Sequence, residues 1–139
     1  MNALSLLKGI EYTGNTDDCE INFVTDDSRK VSEGCAFVCS KGANFDGHTF
    51  AAKAEEIGAK LIVTERDMGV RNQVIVKDSK KAYALMCANF FDNPSKKMKM
   101  IGITGTNGKT TSTYLIKDIL QQQGKKVGLI GTIQNMIDQ

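Results

Sequence analysis

A seven-residue run late in the chain combines the residue types that proteins use to hold phosphate groups. An apolar run precedes it and a helical pattern follows it, so the run should form a turn between a strand and a helix N-terminus. Glycines let such a turn tighten until successive backbone N–H groups converge on phosphate oxygens, and the helix start adds free donors and a positive dipole end. We therefore predict a nucleotide-binding loop. Its residues are Gly105, Thr106, Asn107, Gly108, Lys109, Thr110 and Thr111.

Two side chains of this loop have assignable chemistry. Lys109 can extend its ammonium group to the β- and γ-phosphates of ATP, which makes it the candidate catalytic residue. The hydroxyl of Thr110 can ligate Mg²⁺. The common P-loop pattern has a first glycine five residues before Gly108, where this chain has Ile103. This departure argues against the ordinary P-loop kinases and GTPases.

The surrounding pattern predicts the start of a parallel-sheet domain. Residues 100–104 and 126–130 are apolar runs of strand length, and residues 109–123 form a helical pattern that stops at Gly124. One β-α-β unit has too few elements to cover both faces of a parallel sheet, so we expect this domain to be cut short. The helix residues expected to face inward are Leu115, Ile116, Ile119 and Leu120.

The residues before Pro94 predict a separate small α/β domain. Pro94 lies in a polar, basic stretch and disfavours a helical conformation in the residue before it. We predict a domain over residues 1–93, a linker over 94–99 and the second domain over 100–139. In the first domain, strands are predicted at 20–24, 35–39, 60–64 and 73–76, and helices at 4–8, 49–57 and 80–91.

Composition excludes several classes of protein. The chain has 139 residues, of which 41% are hydrophobic and 24% charged, and its mean hydropathy is −0.24; these values exclude a disordered, collagen-like or membrane-spanning chain. A net charge of +2 and the absence of Trp argue against nucleic-acid binding. The opening residues do not resemble a secretory signal, so we expect four free cysteines in a reducing cytoplasm.

Two tempting chemical assignments have simpler explanations. Cys35 and Cys39 lie in a predicted strand, which favours buried apolar thiols over a metal site. His48 follows Asp46 and Gly47 at the start of a predicted helix. That position is more typical of capping or loop packing than of a general base.

The phosphate loop resembles the ATP loop of the Mur ligases, the enzymes that add amino acids to the peptidoglycan precursor of the cell wall. The segments 26–30, 34–38, 41–42 and 46–48 resemble the N-terminal nucleotide-sugar domain of that family. Residues 88–91 and 94–95 are most similar to the type that adds a diamino acid. The sibling that adds D-Ala-D-Ala more often has Gly-Ser-Asn where this chain has Gly-Thr-Asn at 105–107.

This resemblance implies an ATP-dependent amide-bond ligase that extends UDP-MurNAc-L-Ala-D-Glu through an acyl phosphate, with Mg²⁺ as cofactor. It implies that Ser28 contacts the uridine diphosphate, and beside it Arg29 offers a planar fork for an anion. It also places Ala43, Asn44 and Phe45 in the uracil pocket. The other parts of such an enzyme would lie beyond Gln139, so we expect the 139-residue chain to be inactive alone.

Three alternatives stay open at the level of sequence. The chain could come from a sibling ligase, either the D-Ala-D-Ala-adding type or a folate-type enzyme that shares the loop. It could be a nucleotide-sugar-binding module without catalysis, or an unrelated P-loop kinase. The sequence also leaves open whether the added residue is lysine or meso-diaminopimelate, and what the oligomeric state is.

Overall fold

Short runs of β-branched and small apolar residues build the sheet in the N-terminal part of the chain. The computed structural model describes residues 1–42 and 45–137 and separates into two units, Met1–Met98 and Lys99–Gln139. The strands of the first unit are β1 (Tyr12–Gly14), β2 (Phe23–Thr25), β3 (Cys35–Val38), β4 (Leu61–Thr64) and β5 (Gln73–Val76), and its α-helices are α1 (Ala3–Leu6), α2 (Ala51–Ile57) and α3 (Ser79–Phe90). Short 3₁₀ helices span Ser28–Lys30, Gly47–Phe50 and Pro94–Lys97.

The sheet has the strand order β1-β5-β4-β3-β2. β2, β3, β4 and β5 are parallel to their neighbours, and β1 pairs with β5 in the antiparallel sense at one edge. The predicted α/β class is confirmed. Since four strands run in the same direction, the loops that follow them emerge along a single edge of the sheet.

Successive side chains of a strand point to opposite faces of the sheet, and they pack here into two cores, one on each face. Ala36 and Val38 of β3 pack with α1 and α3 residues such as Leu6 and Met86. Cys35 and Phe37 of the same strand point the other way, where they pack with Ala51 and Ala54 of α2, together with Cys39 and Ile62. The sheet is thus covered by helices on both sides, as parallel sheets require.

The ends of the helices have clear local causes. α2 ends at Gly58, which adopts a left-handed φ of 101° that glycine tolerates best. α3 begins after Asp78, whose carboxylate accepts a hydrogen bond from the Lys81 N–H group. Within the part of the chain that the structure describes, no helix has the combined length and apolar character needed to span a bilayer.

All four cysteines are free thiols. Cys35 and Cys39 are fully buried in the sheet, as the predicted strand implied. Burial raises the pKa of both thiols, that of Cys39 to about 12. A thiol with so high a pKa is a poor nucleophile and a poor metal ligand, which supports the packing role. Among the described residues there is no group of three or more His, Cys, Asp or Glu side chains suited to a metal ion.

The described residues of the second unit, 99–137, form one helix and a hairpin. Its elements are α4 (Lys109–Gln122), β6 (Gly128–Ile130) and β7 (Asn135–Ile137), with β6 and β7 antiparallel. The predicted strand over 100–104 is wrong, because these residues adopt no regular secondary structure. β6 instead finds its partner only a few residues along the chain, and such a local pairing has a small loop-closure cost.

The predicted inward face of α4 is only partly correct. Ile116 and Leu120 are half-buried, but Leu115 and Ile119 are each 59% exposed. α4 contacts β6 of the hairpin. A hairpin covers a narrower stripe of a helix than a full sheet does, which explains why half of the apolar face stays exposed.

Candidate functional site

The loop over residues 105–111 combines two glycines of positive φ with an uncapped helix start. Gly105 has a φ of 149° and Gly108 a φ of 73°, values that L side chains rarely adopt. α4 begins directly after Gly108, and within the described residues no side chain caps its first N–H groups. These donors have no intrahelical partner and point out of the helix start. The turn therefore presents a set of unclaimed N–H groups to an anion.

Lys109 folds back over this loop. Its Nζ donates to the carbonyl oxygen of Gly105 at 2.6 Å and approaches that of Thr106 at 3.4 Å. The side chain is exposed, so the charge is held at the mouth of the loop and open to a ligand. Phosphate oxygens are charged acceptors and bind an ammonium group more strongly than these two carbonyls do.

Thr110 occupies the first turn of α4 and is half-buried. Its carbonyl oxygen accepts a 2.7 Å hydrogen bond from the Thr113 hydroxyl, which steadies this turn. Mg²⁺ commonly keeps several waters and binds through one or two protein ligands plus phosphate oxygens. A single hydroxyl beside a phosphate loop suits that mode of binding.

A second candidate site lies at the edge of the sheet where the parallel strands of the first unit end. In open α/β sheets, ligands bind at the carboxyl ends of the strands. Ser28 follows β2, and Phe45 lies in the connection that follows β3, so both belong to this edge. Ala43 and Asn44 lie outside the described residues.

The turn after β2 is fixed by Asp27. Its Oδ1 accepts hydrogen bonds from the Arg29 N–H group at 3.1 Å and from Arg29 Nε at 2.9 Å, while Oδ2 accepts from Nη2 at 2.9 Å. The side-chain hydrogen bonds from Arg29 lower the pKa of Asp27 to about 2. The guanidinium group of Arg29, which sequence analysis offered as an anion-binding group, is thus already paired with Asp27. The Ser28 side chain is half-buried in the same turn.

Backbone hydrogen bonds between described residues close the connection after β3. The Gly42 N–H group donates to the Phe45 carbonyl at 2.8 Å, and the Gly47 N–H group donates to the Ser40 carbonyl at 3.0 Å. A Cβ on Gly47 would lie 2.9 Å from that Ser40 oxygen, so only glycine fits this close approach. The Phe45 ring is 54% exposed and can offer a face to a planar base.

His48 links this connection to the next strand. The ring is buried, with 1% exposure. Its Nδ1 lies 2.6 Å from Asp46 Oδ1, and its Nε2 accepts a 3.0 Å hydrogen bond from the Glu65 N–H group. Both ring nitrogens are therefore engaged, which supports loop packing over a general base.

Arg66 and Glu65, which follow β4, complete the network. Arg66 donates to Asp46 Oδ2 at 2.9 Å, and the hydrogen bonds from Arg66 and then His48 hold the pKa of Asp46 well below its usual range. Glu65 Oε1 accepts from the Ser79 N–H group at 2.9 Å and from its hydroxyl at 2.8 Å. These bonds, made to both groups of Ser79, lower the pKa of Glu65.

A change of pH should reveal the Asp46 contacts. A carboxyl whose pKa is lowered in the folded state stabilises that state above its unfolded pKa, and the contribution is lost as the pH falls through the folded pKa. We expect the thermal midpoint of wild type to exceed that of Asp46→Asn at pH 7, and the gap to narrow below about pH 4. Differential scanning calorimetry at a series of pH values from 7 to 2 measures the thermal midpoint of wild type and of Asp46→Asn. A gap that stays constant with pH would contradict this assignment.

Comparison with known proteins identifies the family. Residues 20–90, just over half of the chain, match "Mur ligase family, catalytic domain", and residues 103–139 match "Mur ligase middle domain". The chain belongs to the Mur ligase family. This match confirms the resemblance found in the sequence and excludes an unrelated kinase.

A curated Mur ligase from Clostridium botulinum is 50% identical over 144 aligned residues, which cover 99% of this chain and 30% of that protein. It is named UDP-N-acetylmuramoyl-L-alanyl-D-glutamate--2,6-diaminopimelate ligase. The chain spans about 30% of the length of this curated relative. The resemblance to the diamino-acid-adding type is confirmed.

Solved Mur ligase structures share the fold. One described as a UDP-N-acetylmuramoyl-L-alanyl-D-glutamate--2,6-diaminopimelate ligase has a TM-score of 0.76 and 26% identity, covering 99% of this chain and 28% of that one. The MurF ligase from Thermotoga maritima in complex with ADP has a TM-score of 0.55 and 30% identity, covering 72% of this chain and 23% of that one. The second comparison shows a Mur ligase that binds an adenine nucleotide.

Proposed function

We propose that this chain carries two sites of an ATP-dependent ligase that adds 2,6-diaminopimelate to UDP-MurNAc-L-Ala-D-Glu. In this proposal the first unit binds the UDP-MurNAc-dipeptide and the second binds ATP. The observation that carries the proposal is the 105–111 loop, with its two glycines of positive φ, its uncapped helix start and Lys109 folded over it. The 50% identical relative named as the diaminopimelate ligase supports the choice of reaction.

The residues of the loop would act mainly by positioning and charge. The free N–H groups at the start of α4 would hold the phosphate chain of ATP, and Lys109 would bind its β- and γ-phosphates. The loop would hold the terminal phosphoryl group in place for transfer to the D-Glu carboxylate, which would become an acyl phosphate, and it would neutralise the charge that develops during transfer. The amine of the incoming amino acid would then displace phosphate and form the amide bond.

Thr110 is the proposed ligand of Mg²⁺. The divalent ion, when bound, supplies additional positive charge on the β- and γ-phosphate oxygens. The contribution of the chain would be the Thr110 hydroxyl in a turn that the Thr113 bond keeps in place. Its half-buried position limits the directions from which a ligand can approach.

The nucleotide-sugar site is proposed for the strand-end edge of the first unit. Ser28 would donate its hydroxyl to the diphosphate, and Arg29 would meet it from the same turn while keeping Asp27 as its partner. The segment Ala43, Asn44 and Phe45 would bind the uracil, with the exposed Phe45 ring as the stacking surface.

We also propose that the enzyme works in the cytoplasm, since its four free thiols suit a reducing compartment. Its proposed partners are the small substrates themselves, with no nucleic acid among them.

The substitution Ser28→Ala tests the first site. We expect it to weaken binding of UDP-MurNAc-L-Ala-D-Glu by about tenfold or more, because one hydrogen bond to a charged group is lost. ATP binding should not change. Isothermal titration calorimetry of each ligand measures this, with Ser95→Ala, an exposed serine outside the strand-end edge, as the matched control. Equal muropeptide affinity in Ser28→Ala and wild type would remove Ser28 from the site.

A further inference from the structure

One buried side chain links the loop after β3 to the end of β4, and Glu65 extends this network to the loop after β5. His48 lies after β3, its Nε2 accepts from the Glu65 N–H group at the end of β4, and the Glu65 carboxylate holds the N–H group and hydroxyl of Ser79 after β5. The ring is 1% exposed. A substrate cannot reach it, so any role in binding must be indirect.

The hydrogen-bond network assigns a single tautomer to this ring. A backbone N–H group can only donate, so Nε2 must be the acceptor and carry no proton. The proton therefore sits on Nδ1 and is donated to Asp46 Oδ1, 2.6 Å away. In the opposite tautomer, two N–H groups would face each other at Glu65, and the Asp46 carboxylate would face a lone pair.

The Asp46 end of this link lies next to the proposed uracil-binding segment. Asp46 directly follows Phe45, whose carbonyl accepts from the Gly42 N–H group. The Asp46 carboxylate also accepts from the His48 backbone N–H group at 3.0 Å and from Arg66 at 2.9 Å. The position of Phe45 is thus set from one side by the Gly42 bond and from the other by an aspartate anchored to the end of β4.

We propose that His48 is a positioning residue for the nucleotide-sugar site. It fixes the connection that carries Phe45 against the end of β4 while touching no ligand itself. This inference rests on the proposed function of the strand-end edge. Its physical basis is preorganisation, since a connection held in its bound form loses less conformational entropy when the ligand binds.

Two conservative substitutions separate the two hydrogen bonds of the ring, which we call the Asp46 arm (made by Nδ1) and the Glu65 arm (made by Nε2). His48→Asn keeps an amide donor near the position of Nδ1, so it retains the Asp46 arm and leaves the Glu65 N–H group without an acceptor. His48→Gln reaches the position of Nε2 and retains the Glu65 arm, but it loses the donor to Asp46. Because the link needs both arms, we expect each variant to loosen the connection.

The primary test is calorimetric titration of UDP into the 139-residue chain at 25 °C, with circular dichroism used to check that wild type and variants are folded at that temperature. We expect each variant to bind UDP about tenfold more weakly than wild type and to bind ATP equally well. Lys53→Gln, an exposed change on the neighbouring helix α2, is the control and should not alter UDP affinity. A merely structural role would lower the thermal midpoint of both variants and leave UDP affinity unchanged at 25 °C, and that result would overturn the proposal.

Hydrogen exchange provides a measurement that does not depend on the ligand. We expect the Gly42 and Gly47 amides to exchange faster in both variants, with the amides that pair β4 to β5 unchanged. If wild type fails to bind UDP, the proposed function of this edge is wrong, and unchanged Gly42 and Gly47 exchange would overturn the positioning role separately. Long-range ¹H–¹⁵N spectra should show the proton of His48 on Nδ1, and a proton on Nε2 would also overturn it.

Discussion

Replacing Lys109 with alanine is expected to weaken ATP binding by about 10- to 100-fold, because charge-assisted hydrogen bonds of roughly 1.5–3 kcal/mol are lost. Among the described residues, the hydrogen bonds of the Lys109 ammonium group go to the carbonyls of Gly105 and Thr106, which phosphate oxygens could replace. The substitution should therefore leave the thermal midpoint of the chain nearly unchanged. Calorimetric titration of ATP with Mg²⁺ measures the loss.

Lys125→Ala is the matched control for Lys109→Ala. Lys125 is an exposed lysine just beyond α4, so the control removes the same charge from the same unit without touching the loop. It should retain wild-type ATP affinity. Equal ATP affinity in Lys109→Ala and Lys125→Ala would show that general charge, rather than the 105–111 loop, attracts the nucleotide.

Phe37→Ala is expected to destabilise the first unit by about 3–5 kcal/mol, the usual cost of truncating a buried phenylalanine. Phe37 is fully buried in β3 and meets Phe50 edge to face, with ring centroids 5.9 Å apart. Since small domains have a total stability of about 5–15 kcal/mol, the variant should lie close to unfolding. Urea denaturation followed by circular dichroism measures the change in the free energy of unfolding.

Phe91→Ala removes the same side chain from an exposed position and is the control for Phe37→Ala. The Phe91 side chain is 69% exposed, so we expect a change within about 0.5 kcal/mol. If the two variants lose similar stability, the core on the Phe37 side of the sheet contributes little to the stability of the unit.

The buried elements of the first unit were the most predictable from sequence. β5 is found at the predicted residues, β4 begins one residue later than predicted, and α3 begins and ends one residue earlier than predicted. These elements combine an apolar pattern with clear boundary signals, such as Asp78 at the N-cap of α3. Local preference and tertiary packing agree there.

The hydrophobic pattern did not predict β1, at the edge of the sheet, or the irregular structure of residues 100–104. β1 is a three-residue strand exposed throughout, so no hydrophobic alternation marks it, and it exists because β5 offers it a hydrogen-bonding edge. Residues 100–104 have an apolar strand pattern but no regular structure. A strand depends on its partners, which sequence pattern alone does not identify.

In the candidate sites, too, local features were predictable from sequence and contacts between distant residues were not. The 105–111 loop is predictable because its residues are contiguous and its mechanism is local. The sequence did not predict the pairing of Arg29 with Asp27, two residues away, because it indicated only a guanidinium group available to an anion. The bond from Glu65 to His48 spans 17 residues and requires β3 and β4 to be neighbours. Sequence identified His48 as a loop-packing residue but not the strand end that it holds.

The central claim is that one chain carries two separate nucleotide sites. The most direct test is calorimetric titration of UDP-MurNAc-L-Ala-D-Glu into the 139-residue chain, followed by titration of ATP with Mg²⁺ into the saturated complex. We predict one equivalent of each ligand per chain, with Ser28→Ala weakening only the first and Lys109→Ala only the second. Absence of binding by either ligand, or competition between them for a single site, would contradict the account.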